Sequence, residues 1–381
     1  MGGLSAPYYD IQSVNFVNPA SYARLKVTTF DVGVDYDSRT LKVESTASRF
    51  KSAYMIPSYL QLGLPLSQKK NWGMNIGLRP VTRINYDVLR STRLAGIDSV
   101  SYLFKGNGGS YQAFAGMGFG SKSLSVGFNV GYMFGSKEYA TQVVFRNDTV
   151  LYNKSNSTDS TRFGGLFANV GLQYTVQLSK TTHLKIGATG NFKNSLNATR
   201  DISRETFEAS ASSGIVVVDS VYRKTGEKGK IIYPASFGFG VMYEKADKWS
   251  IGAEYSTSKW EDYRYYNQAD SVQNSWAIRL GGQFVPDVNG KNYWAKVVYR
   301  FGFYAGPDYI RVGSKLPQYG ITAGFGFPVR RNAYTNQYTV INTSFEYGSR
   351  GNKSNAVRES LFRVSVGLTL SDIWFIKRKY D

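Results

Sequence analysis

Residues 123–134 read Ser-Leu-Ser-Val-Gly-Phe-Asn-Val-Gly-Tyr-Met-Phe. Every second position is large and apolar: Leu124, Val126, Phe128, Val130, Tyr132 and Phe134. Between them stand Ser123, Ser125, Gly127, Asn129, Gly131 and Met133. A period of two belongs to a β-strand, whose successive side chains point to opposite faces, so this strand has one apolar face and one small or polar face. Residues 168–178 repeat it, with Ala168, Val170, Leu172, Tyr174, Val176 and Leu178 set against Asn169, Gly171, Gln173, Thr175 and Gln177. Phe362, Val364, Val366, Leu368 and Leu370 do so again near the end. A soluble sandwich also alternates, but its strands average about 5–6 residues. These runs reach the ~10 residues that a tilted membrane-spanning strand needs.

Outward from these runs, fourteen strands are expected near 25–36, 54–66, 72–91, 99–120, 122–144, 161–178, 183–198, 230–244, 248–263, 273–285, 292–304, 317–328, 336–348 and 360–371. An even count suits a closed single-chain barrel. The connections alternate between short turns, such as Ser67–Asn71, Gly120–Lys122, Ser179–Thr182 and Lys245–Asp247, and longer polar stretches. The longer set is Arg146–Ser160, Thr199–Gly229, Arg264–Val272, Ala305–Leu316 and Ser349–Glu359. Short turns face the periplasm and long loops the outside in such barrels. Trp72, Trp249 and Trp294 each follow a short turn and Trp374 follows the last strand, as an interfacial aromatic girdle requires. The expected fold is all-β: a transmembrane antiparallel barrel of 14 strands over residues 25–381, with residues 1–24 as an N-terminal plug or hatch.

Composition removes other classes. The 381 residues include no Cys and one His, which excludes thiol catalysis, disulfides, Cys-based zinc sites and zinc sites of several histidines. With 29 Tyr and 23 Phe the chain is too aromatic for disorder. No run approaches the ~18 apolar residues of a helical span. The balance of 46 Lys+Arg over 27 Asp+Glu gives a net charge of +19, yet the basic runs Lys69-Lys70, Arg330-Arg331 and Lys377-Arg378-Lys379 are short and scattered. Nucleic acid needs charge gathered on one face, so no nucleic-acid partner is expected. Cations at the rims suit outer-membrane lipid and lipopolysaccharide headgroups. The first residues carry no basic n-region or apolar h-region, so the chain reads as cytosolic or already processed, and the barrel favours the second.

The first 24 residues do not alternate; they read as an apolar, turn-rich segment lying in or under the lumen. Asn18-Pro19-Ala20 ahead of fourteen strands resembles the FadL-type family of hydrophobic-compound transporters, whose N-terminal hatch carries an Asn-Pro-Ala motif. The wider run Met1-Gly2-Gly3-Leu4 with Asn18–Ala23 is similar to FadL-like barrels of the Bacteroidota. The resemblance implies uptake of small hydrophobic, fatty-acid-like molecules, which enter at an outer groove. They leave through a lateral gap at a kink in the third strand when the hatch shifts. Here that strand contains Gly77-Leu78-Arg79-Pro80-Val81-Thr82, and a proline in mid-wall has no N–H for the ladder. The expected substrate and gate residues are Asn18, Pro19, Ala20, Tyr22, Arg79 and Pro80. The family's apolar outer-groove helices have no counterpart in the polar Asn147–Thr158. Loop 199–229, with Gly214-Ile215-Val216-Val217-Val218, reads as a hairpin extension. A second expectation is therefore a structural or docking subunit of an outer-membrane complex, of the type IX secretion or barrel-assembly kind.

No enzyme is expected. His183 opens a strand beside a turn, and Gly116-Met117-Gly118-Phe119-Gly120 lacks the Lys-Ser/Thr of a phosphate loop. No catalytic residue, cofactor or metal is expected. Parity directs Asp31, Asp35, Arg79, Glu254, Arg279, Arg300, Glu346 and Arg363 into the lumen, where ion pairs could hold the plug.

Overall fold

Alternation becomes register: the segments pair in sequence order, each antiparallel to the next. The computed structural model describes residues 1–43, 48–67, 69–94, 98–145, 153–210, 214–330 and 338–372. Its strands are β1 (Thr28–Val43), β2 (Ser48–Ser67), β3 (Trp72–Leu94), β4 (Asp98–Gly120), β5 (Leu124–Phe145), β6 (Lys154–Gln177), β7 (Thr182–Asn191), β8 (Asn194–Ser210) and β9 (Gly214–Tyr233). They continue as β10 (Ser236–Lys245), β11 (Trp249–Ser258), β12 (Arg264–Tyr265), β13 (Gln268–Ala269), β14 (Ser275–Phe284), β15 (Val298–Val312), β16 (Ser314–Arg330), β17 (Tyr338–Arg350) and β18 (Val357–Asp372). Fourteen of these, all but β8, β9, β12 and β13, make one closed antiparallel barrel. Closure joins β18 to β1 from Thr28↔Asp372 to Val43↔Val357.

The apolar face of each strand turns outward. Leu124, Val126, Phe128 and Val130 are exposed, whereas Ser125 and Asn129 between them are buried. A belt of this kind is stable only against lipid, since water on so many neighbouring aliphatic and aromatic side chains would be costly. Aromatic pairs mark its lower edge: Trp72 stacks on Phe119 at 5.7 Å and Trp249 lies 5.5 Å from Tyr243. Trp72 and Trp249 open β3 and β11 as expected. Trp294 instead lies in a one-turn helix, α1 (Tyr293–Lys296), within the connection from β14 to β15. Trp374 and Lys377-Arg378-Lys379 lie outside the described residues, as do residues 146–152.

Several polar stretches expected as loops are strand. β6 already begins at Lys154, and β15 and β16 meet at a single residue, Gly313, whose φ of 68° suits glycine. The expected strands 183–198 and 230–244 are each interrupted, at residues 192–193 and at Pro234-Ala235. There β6 changes partner, pairing with β7 over Asn169–Gln177 and with β8 over Lys154–Gly164. Above the break β8 and β9 form the hairpin that 199–229 was read to be. The Gly226 N–H donates to Asp201 Oδ1 at 2.8 Å and holds that carboxyl below the ordinary carboxylate range.

The barrel is consequently lopsided. β3, β4, β5 and β6 run 23, 23, 22 and 24 residues, against 10 each for β11 and β14. A strand tilted by about 40° climbs ~2.5 Å per residue, so ~10 residues cross the ~25 Å apolar band. β3, β4, β5, β6, β8 and β9 thus form a tall sheet rising past the membrane on one side.

Residues 1–27 run along the inner face of the wall. Their backbone approaches it so closely that inward glycines are required: a Cβ at Gly127 would overlap Pro19 and Ala20, and one at Gly187 would overlap Ala6. Gly127→Val is expected to destabilise the barrel by about 1–3 kcal/mol through overpacking. Gly190→Val, whose Cβ would meet only ordinary contacts of 3.5 Å and more, should be near neutral. The temperature at which each purified variant loses its compact gel mobility checks this.

Candidate functional site

The Asn-Pro-Ala run is where the N-terminal segment is fixed. Pro19–Arg24 form a 3₁₀ helix with proline at its start, where a missing N–H costs nothing. Asn18 caps it, its Oδ1 accepting from Ala20 N at 3.2 Å. The same side chain, fully buried, donates through Nδ2 to Ala6 O at 2.6 Å and to the wall carbonyls of Leu172 (3.2 Å) and Ala188 (3.4 Å). Ala20 is small because Gly127 lies against it. The buried Tyr22 hydroxyl donates to Asn129 Oδ1 at 3.0 Å and accepts from Asn75 Nδ2 at 3.2 Å. Each residue of the motif therefore has a mechanical task.

Inward polar side chains hold the rest. Glu254 Oε2 accepts from Ser5 N and Ala6 N, both at 2.7 Å, and its other oxygen lies 3.3 Å from Arg279 Nη1. Val14 is held from both sides: its N–H donates to Asp31 Oδ2 (3.2 Å) and its carbonyl accepts from Gln61 Nε2 (3.1 Å). Lys185, almost wholly buried, pairs with Glu244 at 2.5 Å and lies 3.7 Å above the Tyr9 ring. Burying charges is tolerated only when each is paired in this way.

The eight lumen charges expected from parity divide into two groups, with Arg300 apart from both. Asp31, Glu254, Arg279 and Arg79 serve the segment, Arg79 lying 4.7 Å above the Phe16 ring while bonding Gln112. Arg300 donates to Asn342 at 2.8 Å. Asp35, Glu346 and Arg363 lie higher, around Asp37, to which Arg363 pairs at 2.5 Å. Sequence reasoning missed Asp37, although it shares the parity of Asp31 and Asp35. It also missed Arg39, Asp308, Arg350 and Glu359, which complete this ionic cluster. The cluster borders a cavity of about 490 Å³. Beside this cavity residues 259–274 turn inward: Trp260 stacks on Tyr309 at 4.2 Å, and Tyr263 packs with Phe16 around a core of Phe114, Met133, Phe167, Leu196 and Ile231. The segment and this loop thus both enter the lumen and share one apolar cluster through Phe16 and Tyr263.

The wall itself is open at one seam. The β2–β3 ladder runs from Ser67↔Trp72 to Leu60↔Leu78 and stops. Above it, β2 continues against β1 and β3 against β4, with no rung between β2 and β3 among the described residues. The sequence explains the stop. Continuing the register would set Ser58 opposite Pro80 and Pro57 opposite Val81, so two adjacent rungs each meet a proline without an N–H. Both strands also bulge here, Ser58 being skipped in the β1–β2 register and Val81 in the β3–β4 register. Pro80 was visible as a breaker; Pro57 was not singled out, because its alignment with Pro80 appears only once the register is known. Across the seam the Arg83 guanidinium lies 4.2 Å above the Tyr54 ring. Tyr59, Arg79 and Phe16 stand at its foot. Asn18–Tyr22 lie lower, reaching β3 at Gly73 and Asn75.

A family model described as BamG matches the chain over residues 1–381. No curated protein matches the sequence. Among solved structures the chain is similar to the Pseudomonas putida toluene transporter TodX, at TM-score 0.61 and 17% identity over 97% of this chain and 96% of that one. It is also similar to a Pseudomonas aeruginosa FadL homologue (0.61, 10%, covering 97% and 95%) and to the CymD monoaromatic hydrocarbon channel (0.57, 16%, covering 93% and 91%). Identities this low carry the fold: the barrel is of FadL type.

Tyr22→Phe leaves the buried Asn129 Oδ1 without its donor, and is expected to cost about 1–3 kcal/mol. Asn18→Ala, which removes the cap as well as the wall contacts, should cost at least as much and make residues 1–27 newly sensitive to protease in intact membranes. Unchanged protection in Asn18→Ala would show that the motif does not hold the segment.

Proposed function

The chain belongs to the BamG family, and from that premise we propose that it is a structural, docking subunit of a barrel-assembly type complex in the bacterial outer membrane. In this reading residues 1–24 are a fixed plug and residues 25–381 a FadL-like barrel. The plug is tied by Asn18, Pro19, Ala20 and Tyr22. The resemblance of Met1–Leu4 and Asn18–Ala23 to barrels of the Bacteroidota forms part of the same reading. The observation that carries it is the lumen. The segment and residues 259–274 both fold into it and meet at Phe16 and Tyr263, and the cavity beside them is lined by paired charges such as Arg363–Asp37 and Arg350–Asp308. An apolar molecule gains nothing by leaving lipid for such surroundings. The tall side of the barrel, in contrast, offers a large protein surface beyond the headgroups of lipid and lipopolysaccharide. Purification of the tagged protein at native level in mild detergent should return stoichiometric partners that include barrel-assembly subunits. A lone monomer carrying bound lipid would overturn the proposal.

A second reading, lateral transport of small hydrophobic molecules, is favoured by the β2–β3 seam and by likeness to structures titled as hydrocarbon transporters. Arg79 and Pro80 would then form the exit and Asn18–Tyr22 the hatch. The double variant Pro57→Val/Pro80→Val, which restores the backbone N–H that proline denies the facing strands, should lengthen the ladder and abolish uptake of a radiolabelled fatty acid or toluene. Equal uptake by wild type, variant and deletion strain would remove this reading.

A further inference from the structure

The tall sheet ends in β9, and one edge of β9 is unfinished. Along one side β9 pairs with β8 from Asn194↔Tyr233 to Ser210↔Gly214. Along the other, β12 takes only two rungs, Arg264↔Ile232 and Tyr265↔Ile231, and Tyr266 N adds a bond to Lys230 O at 3.0 Å. The chain then reverses at Tyr266 and Asn267, whose φ angles of 50° and 64° form a tight hairpin turn into β13. Above that point no described strand pairs with this edge; only the Tyr266 hydroxyl reaches further up, donating to Glu227 O at 2.8 Å. It is therefore an edge already shown to accept an antiparallel strand, vacated after two rungs.

The vacant stretch lies outside the membrane. Tyr222 stands about 23 residues up the strand line from Lys245 at the lower turn, which at ~2.5 Å per residue puts it more than 50 Å up, well past the ~25 Å apolar band. Despite this aqueous position its upper half is apolar: Val216, Val217, Val218, Val221 and Tyr222 are 44–68% exposed. Natural edge strands are ordinarily blunted by proline, charge or bulges; β9 bulges against β8 at Val218 and Val221, yet its long apolar run still needs a cover. Below it the exposed side chains turn basic, at Arg223, Lys224, Lys228 and Lys230, while the neighbouring acid Glu227 already bonds Lys224 at 2.6 Å.

We propose that the outer edge of β9 takes an extended strand of a partner protein, apolar opposite Val216–Tyr222 and acidic opposite Arg223–Lys230. This deepens, and rests on, the reading of the chain as a docking subunit. A strand is indicated rather than a lipid tail because what the edge lacks is main-chain hydrogen bonds, the currency of strand addition. A second copy does not fit. Two copies in one membrane, related by an axis along its normal, would run their β9 strands in the same vertical direction and could not repeat the antiparallel pairing begun by β12.

The test uses the intact complex purified in mild detergent and the same protein alone. Amide hydrogen exchange across Val216–Glu227 should slow at least tenfold in the complex, with β5 unchanged. The chain has no Cys, so Val221→Cys with a short bifunctional cross-linker reports on this site alone. It should give one adduct, mapping to an extended acidic-apolar segment of a partner, and Ser121→Cys in a lower turn should not give it. Val216→Lys/Val218→Lys, folded by gel mobility, should lose that adduct. A complex that purifies intact while β9 exchange is unchanged overturns the strand proposal and leaves the docking reading standing. An adduct between two copies overturns the choice of occupant, and failure to isolate any complex removes the docking reading itself.

Discussion

A wall of fourteen strands encloses more space than its own inward side chains can fill, and how that lumen is filled is the constraint on which the rest depends. The solution is to keep the inner face small and to bring in backbone from elsewhere. Gly127, Gly187 and Ala20 exist in their present sizes because a polypeptide has to pass within van der Waals contact of the wall. That polypeptide carries its own unsatisfied N–H and C=O groups into a closed space, which is why Glu254, Asp31, Gln61 and Gln173 point inward to meet them.

The seam and the tall sheet are two departures from a uniform cylinder, and they have opposite chemistry. At the seam, prolines remove donors at the height where lipid cannot supply acceptors, so the wall can part with few orphaned groups. At β9 the donors and acceptors are all present but stand in water, where an open edge survives only until something pairs with it. One is a gap that tolerates being left open; the other is a ladder that invites extension.

Much of the barrel was legible in the sequence, because lipid on one side and a crowded lumen on the other impose a strict period of two. Where only water touches both faces that pressure vanishes. This is why Lys154–Ser160 and 305–312 read as loops although they are strand. The interruptions at 192–193 and Pro234 were hidden in segments whose alternation continues across them. The Asn18-Pro19-Ala20 motif pointed to the segment that matters, and Pro80 pointed to the seam. Single-chain reasoning could not supply the second partner in either case: Asn75 and Asn129 meet Tyr22, and Pro57 meets Pro80, only after distant strands come into register. The mouth aromatics Trp260 and Tyr263 gave no periodic signal, since an inward-folded loop has none.

The grip on the N-terminal segment also dictates an order of events. Its bonds reach β1, β2, β3, β5, β6, β7, β11 and β16, the last through Gly2 N to Thr322 Oγ1, 320 positions along the chain. Residues 1–27 therefore have no complete set of partners until nearly all the others are in place, and β1 itself waits for β18. Pairings this distant are slow to form, because the entropy of closing the loop is lost before any contact rewards it. The segment has to be kept from straying while the sheet is still an open ribbon, and closure of β18 on β1 both completes the cylinder and traps what lies within.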